Sequence, residues 1–147
     1  MKRSVAVYID ADNINVSLAK SALQQLEAVA KIREIKVFAN WADHHVPGAW
    51  LSLCRRWRVN PQHCLKLTNK GKNAADIALA VTAISDAHSP YRPDVMALFS
   101  NDADFAPVVS RLSEMDVEVV GVGNDNASLR YRQLCDFWLD LSEPNIA

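Results

Sequence analysis

Cysteine is scarce in this sequence, and its placement excludes two common architectures. Three cysteines occur among 147 residues, and none of them form a Cys-x-x-Cys pair. An odd number of widely spaced cysteines argues against a disulfide framework and against a cysteine-based zinc site. This usage fits a reducing compartment, and we expect a cytoplasmic protein.

Long apolar runs are also missing. No run approaches the roughly 20 apolar residues of a membrane-spanning helix, and Asp10 and Asp12 interrupt the N-terminal apolar run before a signal peptide could form. Half of the residues are hydrophobic and 22% are charged, which is ordinary for a globular domain. We therefore expect residues 1–147 to form one domain that has no membrane partner.

The sequence has no excess of basic residues, since its formal net charge is −1. This balance is unfavourable for binding nucleic acid unless the acids are concentrated in one place. Five acids follow or open predicted elements, namely Asp10, Asp12, Asp76, Asp102 and Asp104. Without them, 12 acidic residues remain against 16 basic ones. Divalent cations would neutralise the excluded acids, so the charge leaves nucleic-acid binding open.

Short apolar runs alternate with amphipathic segments along the chain. The runs predict strands at residues 5–9, 35–39, 63–67, 95–99 and 117–122, with an edge strand at 137–141. The amphipathic segments predict helices at residues 14–29, 47–57, 74–87, 105–115 and 127–134. This alternation indicates an α/β protein with three layers, α/β/α, around a mostly parallel central sheet.

Two details of the predicted helices can be compared with a structure. Asp12 or Asn13 is expected to cap the first helix, because Asp and Asn are favoured N-cap residues. Ile77, Val81 and Ile84 are expected to form the apolar face of the third helix, because they recur at helical spacing.

Carboxylates follow two predicted strands and open one predicted helix. Asp10 ends the first strand, Asp102 and Asp104 follow the fourth, and Asp76 lies in the first turn of the third helix. Ligands of parallel sheets bind beyond the carboxyl ends of the strands, so we expect these acids to meet there. Clustered carboxylates repel one another and need a compensating cation. Oxygen ligands favour Mg²⁺ or Mn²⁺, which can activate water for displacement at a phosphodiester.

Most of these acids also have a purely structural interpretation. Asp12, Asp102 and Asp104 could each be helix N-caps, and Asp76 could favour the positive end of a helix dipole. Asp10 has no such role if another residue caps the helix, because it directly ends a buried strand. The joint occurrence of these acids favours a shared site.

Several segments resemble the signature blocks of a known family. The segments YIDADNIN, KGKNAADIALAVTAI and ALFSNDADFAPVVSRL are similar to the blocks of the NYN domain, in its bacterial LabA-like branch, within the PIN-like nuclease superfamily. The segments VEVVGVG and LCDFWLDL also resemble that branch, so the likeness covers nearly the whole chain. It implies a PIN-like α/β fold and Mg²⁺- or Mn²⁺-dependent cleavage of RNA that leaves 5′-phosphate and 3′-hydroxyl ends.

The resemblance also implies roles for individual residues. The acidic metal site that it implies consists of Asp10, Asp76, Asp102 and Asp104. Asn13 matches the Asn of the first block and Ser100 matches the Ser before the acidic pair, so both are expected to support the site. Asp12 and Asn101 stand where other residues are frequent in the family, which leaves the role of Asp12 open.

The densest basic stretch supplies candidate contacts to substrate phosphates, and it comprises Arg55, Arg56, Arg58, Lys66, Lys70 and Lys72. A solvated helix end and loop is the alternative. Lys70 and Lys72 are favoured because their loop precedes the helix of Asp76. Trp41 and Trp50 flank another loop, where stacking on a base is an option, although packing is the commoner role.

We predict a metal-dependent ribonuclease, with endonucleolytic action favoured, that acts on single-stranded or structured RNA. One alternative is a HAD-like phosphatase with Asp10 as the nucleophile, although Asn13 stands where such enzymes usually have Thr or Val. The other is a non-catalytic RNA-binding or regulatory module that keeps the acidic site and acts through a partner protein. For the protein in general, a homodimer and a complex with a partner protein both remain open.

Overall fold

A computed structural model describes residues 2–40, 47–63 and 73–141, with the backbone alone described at residues 60–63. Its strands are β1 (Ser4–Asp10), β2 (Lys31–Ala39), β3 (Asn60–His63), β4 (Val95–Phe99), β5 (Glu118–Gly123) and β6 (Phe137–Asp140). Its helices are α1 (Val16–Val29), α2 (Gly48–Trp57), α3 (Ala74–Ala87), α4 (Ala106–Glu114) and α5 (Leu129–Leu134). A 3-10 turn, Ala103–Phe105, leads into α4.

The strands form one sheet in the order β3-β2-β1-β4-β5-β6, and every neighbouring pair is parallel. The chain builds outward from β1 to β3, then returns to the other side of β1 with β4. The boundary between β1 and β4 is therefore the topological switch point, where sheets of this class form their ligand crevice. The predicted mostly parallel sheet is confirmed.

Helices cover both faces of the sheet. Val5, Val7 and Ile9 of β1 join the core beneath α1 and α2, whereas Ala6 and Tyr8 join the core beneath α3, α4 and α5. Successive side chains of a strand point to opposite faces, so a continuous apolar run serves both cores. The predicted three-layer α/β/α fold is confirmed. Within the described residues, no helix combines the length and apolar character that a membrane span requires.

The predicted cap of α1 is wrong by two residues or more. Asn15 caps the helix, and its Oδ1 accepts a hydrogen bond from the Leu18 backbone N–H at 2.9 Å. Asp12 and Asn13 are engaged elsewhere, because Asp12 accepts hydrogen bonds from Asn40 and Asn13 donates one to Asp10. The chain therefore makes a full turn after β1 before the helix begins.

The predicted apolar face of α3 is wrong at two of its three positions. Ile77 and Val81 are 63% and 59% exposed, whereas Ile84 is partly buried and packs against the core. The buried stripe lies on another side of the helix and consists of Ala75, Leu79, Ala83 and Ala87. Both stripes have helical spacing, and the one rich in alanine brings the helix backbone closer to the bulky Tyr8 and Phe38 of the sheet. The strand predicted at residues 63–67 begins earlier, at Asn60, and residues 64–72 lie outside the described part of the chain.

Two glycines of β5 are required by packing against β6. A Cβ added to Gly121 would lie 2.5 Å from the Trp138 ring and 2.7 Å from the Cys135 sulfur. A Cβ added to Gly123 would collide with the side chains of Asn101 and Trp138. The indole of Trp138 is itself held edge-on against Tyr131, with ring centroids 5.8 Å apart. The two glycines thus allow β5 to pack closely against Trp138 and its neighbours.

Gly121→Ala should lower the free energy of unfolding by about 1–3 kcal/mol, because the added methyl group overpacks a site next to a rigid indole. Gly48→Ala is the matched control, since nothing lies within 4 Å of its added Cβ and alanine is the better helix former. Urea unfolding of both variants measures the difference. Equal stability of the Gly121→Ala variant and the wild type would contradict the packing argument.

Candidate functional site

A buried carboxylate lies at the switch point of the sheet. Asp10 is the last residue of β1, and Ser100 directly follows β4. Each is 1% exposed, and in the described part of the chain they are the only buried polar residues. The two neighbouring central strands therefore place a carboxyl and a hydroxyl group side by side at their carboxyl ends.

The hydrogen bonds of Asp10 fix one of its oxygens and leave the other without a donor. Its Oδ2 accepts hydrogen bonds from the Asn13 side-chain amide and from the Ser100 hydroxyl, both at 2.7 Å. Its Oδ1 is buried and has no hydrogen-bond partner among the described residues. A buried acceptor without a partner costs free energy, so this oxygen is suited to a cation or a water molecule.

Ser100 also connects Asp10 to the second acidic segment. Its hydroxyl oxygen accepts a hydrogen bond from the Asp102 backbone N–H at 3.0 Å. Asp102 then caps the 3-10 turn, with its Oδ1 accepting a hydrogen bond from the Asp104 backbone N–H at 2.9 Å. The capping role considered for Asp102 is therefore real, and it leaves Oδ2 of that residue outside the cap.

Asp76 reaches the same place from the other side of a shallow cleft. It lies in the first turn of α3, and together with Asp104 it lines a cavity whose apolar floor includes Phe105 and Val108. Asp76 and Asp104 thus share one cavity, whereas Asp10 and Asp102 share the hydroxyl group of Ser100. Asp10 is buried and Asp104 is exposed.

The pKa values of these acids show that they act on one another. Burial raises the pKa of Asp10, the hydrogen bonds from Asn13 and Ser100 oppose this rise, and the charges of Asp12 and Asp102 add to it. The pKa of Asp76 rises to about 6, first because of burial and then because of four neighbouring carboxylates: Asp10, Asp102, Asp12 and Asp104. Positive charge placed among them would therefore be stabilising.

The donor set consists of carboxylate oxygens, which are the ligands that hard divalent cations prefer. Across the described residues, no three acidic, histidine or cysteine side chains form a group that could hold a metal ion as they stand. The free oxygen of Asp10 and the repulsion felt by Asp76 are the two features that a cation would relieve.

Two residues of this region have no counterpart in the sequence prediction. Asn40 directly follows β2, so it lies at the same edge of the sheet as Asp10 at the end of β1. Its backbone N–H and its side-chain amide donate hydrogen bonds to the Asp12 carboxylate at 3.3 and 3.2 Å. This contact gives Asp12 a structural role, tying the loop after β1 to the end of β2. Tyr131 is buried beneath the site, and burial followed by the charges of Cys135, Asp102 and Asp10 raises its pKa. The position of Asn40 after a strand was a usable signal, whereas Tyr131 had none.

The other predicted substrate contacts include arginines at the end of α2 and the tryptophan Trp50, and the structure places them differently. Arg55 and Arg56 are exposed in the last turn of α2, and Arg58 ends that helix with a left-handed φ of 55°. Trp57, between them, donates a hydrogen bond to Glu27 near the end of α1, which places this end of α2 away from the acids. Whether Arg55 contacts a substrate stays a prediction. Trp50 is 7% exposed and packs in the core with α1 and α2. It therefore has the packing role that the sequence favoured over stacking on a base.

Three more basic residues were predicted to contact substrate phosphates, and they lie outside the described residues: Lys66, Lys70 and Lys72. The same holds for Trp41. Their roles as substrate contacts stay predictions.

Asp76 should make stability depend on pH. Its pKa is raised from 3.8 to about 6, so the folded state binds a proton more tightly than the unfolded state does. The free energy of unfolding should therefore rise as the pH falls from about 7 through about 6, in buffer without divalent cations. Asp76→Asn should make this dependence shallower and raise stability at neutral pH. Urea unfolding at several pH values measures it, and an identical slope in the variant would refute the electrostatic account.

Comparisons with known proteins agree with this fold. A crystal structure of a protein of unknown function from Vibrio parahaemolyticus superimposes with a TM-score of 0.75, covering 97% of this chain and 94% of that one. The two sequences are 15% identical, so the likeness concerns the fold. No curated protein matches the chain significantly. The sequence model of the NYN domain matches residues 4–142, and the chain therefore belongs to the NYN domain family, within the PIN-like nuclease superfamily.

Proposed function

We propose that this protein is a metal-dependent ribonuclease that hydrolyses RNA phosphodiester bonds at the acidic site. The observation that carries the proposal is the buried Oδ1 of Asp10, which has no hydrogen-bond partner among the described residues and lies at the switch point near four further carboxylates. Membership of the NYN family supports nuclease chemistry at this place. Assignment to the LabA-like branch, a cytoplasmic location and endonucleolytic action are parts of the same proposal.

The proposed roles of the residues follow from their contacts. Asn13 and Ser100 orient the Asp10 carboxylate, so that its Oδ1 faces a cation. The other three ligands are proposed to be Asp76, Asp102 and Asp104. A bound Mg²⁺ or Mn²⁺ would supply an activated water and neutralise charge on the phosphodiester. Lys70 and Lys72 are proposed to contact substrate phosphates.

The family membership favours a nuclease over the HAD-like phosphatase. The environment of Asp10 points the same way, because a nucleophile needs access to a phosphorus atom and Asp10 is 1% exposed with Oδ2 already bonded twice. A non-catalytic RNA-binding module would keep the same acids, so only an activity measurement separates it from the ribonuclease.

Purified protein should cleave RNA in the presence of Mn²⁺ or Mg²⁺ and not in EDTA. Asp10→Asn should lower the rate at least about 100-fold, because a metal-bound water and charge neutralisation contribute several kcal/mol to catalysis. Gel analysis of labelled single-stranded and structured RNA measures cleavage and separates internal from terminal cuts.

Asp116→Asn is the matched control for this experiment. Asp116 is exposed, lies between α4 and β5, and has a φ of 59° that asparagine also tolerates. It should retain wild-type cleavage. Binding of RNA without metal-dependent cleavage would instead identify the non-catalytic module, and equal activity of the Asp10→Asn variant would exclude the proposed site.

Metal binding should also stabilise the fold independently of cleavage. Mn²⁺ at roughly 100 times its Kd should add about 2.7 kcal/mol to the free energy of unfolding, because the unfolded chain lacks the site. Asp102→Asn should reduce this gain, since it removes one carboxylate charge while its remaining side-chain oxygen can still cap the 3-10 turn. Thermal melting with and without Mn²⁺ provides the measurement, and a wild-type melting temperature that ignores the ion would argue against a preformed site.

A further inference from the structure

A groove separates α1 from α2 on the face of the sheet opposite α3. Its volume is about 360 Å³, its floor is formed by Val16, Leu53 and Trp57, and its rim carries Lys20 and Arg56 together with the hydroxyl groups of Ser17 and Ser52. These rim residues are exposed, whereas Leu53 is buried. The groove thus combines an apolar floor with a polar, cationic rim.

The charges of the groove are uncompensated within the described residues. None of the side chains that line it is acidic, and neither Lys20 nor Arg56 takes part in an ion pair. The only acid of α1 and α2 is Glu27, which accepts a hydrogen bond from the Trp57 indole at 3.1 Å. The Arg56 guanidinium lies over the Trp57 ring, 4.9 Å from its centroid, which holds it at the groove.

Helix α3, on the other face of the sheet, has the opposite charge. α3 carries Asp76 and Asp86 and has no basic residue. A polyanion approaching the acidic site is therefore repelled on the α3 side and attracted on the side of α1 and α2.

The groove begins at the edge of the sheet that carries the acidic site. Val16 and Ser17 open α1, six and seven residues after Asp10, and Asn13 in the intervening turn donates to the Asp10 carboxylate. From there the groove follows α2 from Ala49 to Trp57, a length of roughly 12 Å at the helical rise per residue. An extended ligand held at the acids can therefore continue into the groove.

We propose that the groove between α1 and α2 binds the phosphate backbone of a single RNA strand next to the cleavage site, with Lys20 and Arg56 contacting phosphates. The proposal rests on the ribonuclease function proposed above. Channels for single strands combine a positive rim with an apolar or aromatic floor, as this groove does, because unpaired nucleotides expose their ring faces. Contacts to phosphates carry no sequence information, so the groove provides affinity without sequence preference.

The test is the salt dependence of RNA binding, measured in EDTA so that no cleavage occurs. The logarithm of the RNA-binding constant falls linearly with the logarithm of the salt concentration, and each lost phosphate contact reduces the magnitude of this slope by roughly 0.7 for a single strand. The double variant Lys20→Ala/Arg56→Ala should therefore reduce it by roughly twice that amount. The control Lys31→Ala/Arg33→Ala also removes two exposed positive charges, at the start of β2 and away from the groove. Its slope should match the wild type.

An unchanged slope in the groove variant, an equal reduction in the control, or no binding of RNA by the wild type would overturn the proposal. Thermal melting of both double variants checks that folding is intact. A Lys20→Arg variant should retain the wild-type slope, because it keeps the charge at the rim.

Cleavage separates failure of this proposal from failure of the ribonuclease function. With Mn²⁺, the groove variant should lose kcat/KM on a long single strand and keep it on a dinucleotide, which is too short to reach the groove. If the wild type cleaves long RNA and the groove variant cleaves it at the same rate, the groove proposal is refuted and the ribonuclease function stands. Absence of wild-type cleavage with a lowered binding slope would refute the ribonuclease function and leave the groove as a binding site.

Discussion

The carboxylate of Asp10 is buried at the end of the central strand, and the local structure around it is arranged to limit the cost of that burial. A charged group removed from water must be hydrogen-bonded or paired with opposite charge. Asn13 and Ser100 satisfy one oxygen, and in doing so they fix the turn after β1 and the loop after β4. The second oxygen remains unsatisfied within the described residues. A cation or a water molecule at this oxygen would remove the rest of the cost.

The parallel sheet explains why the other acids gather around this carboxylate. β1 and β4 are neighbours only because the chain returns to the middle of the sheet after building β2 and β3. That return places Ser100 and Asp102 beside Asp10, although 90 or more residues separate them in sequence. α3, which leads into β4, begins at the same edge and contributes Asp76. Repulsion among these groups raises the pKa of Asp76, so the topology creates both the site and its electrostatic cost.

The sequence was informative where one physical pattern dominated. Apolar runs such as Val5 to Ile9 predicted central strands, and the acids that follow them predicted which edge of the sheet carries the carboxylates. It was misleading on α3, because Ile77 and Val81 have the same helical spacing as the alanine-rich stripe that packs on the sheet. It also failed at the cap of α1, since Asp12, Asn13 and Asn15 are all good capping residues. The first two are engaged elsewhere, Asp12 by Asn40 and Asn13 by Asp10.

The part of the site that could not be predicted is the part that depends on contacts between distant segments. The pairing of Asp12 with Asn40 joins two strand ends. Asn40 could be noticed because it follows a strand, but no local pattern identifies Asp12 as its partner. The burial of Tyr131 beneath the acids depends on how α5 packs against β6. Spacing along the chain placed the carboxylates at one edge, but which oxygen each would offer depends on hydrogen bonds such as the cap at Asp102.

The net charge of −1 shows why composition alone misjudges a protein of this kind. The acids are concentrated at the edge where β1 and β4 end, whereas α1 and α2 together carry three basic residues and a single acid. Interactions between exposed charges are screened beyond about 10 Å in ordinary buffer, so a ligand responds to the local charge and hardly to the total. A polyanion can therefore be attracted to the layer of α1 and α2 while a divalent cation is attracted to the neighbouring acids. The two attractions reinforce each other, because a cation bound at Asp10 would remove the repulsion that a phosphate entering from the groove would otherwise meet.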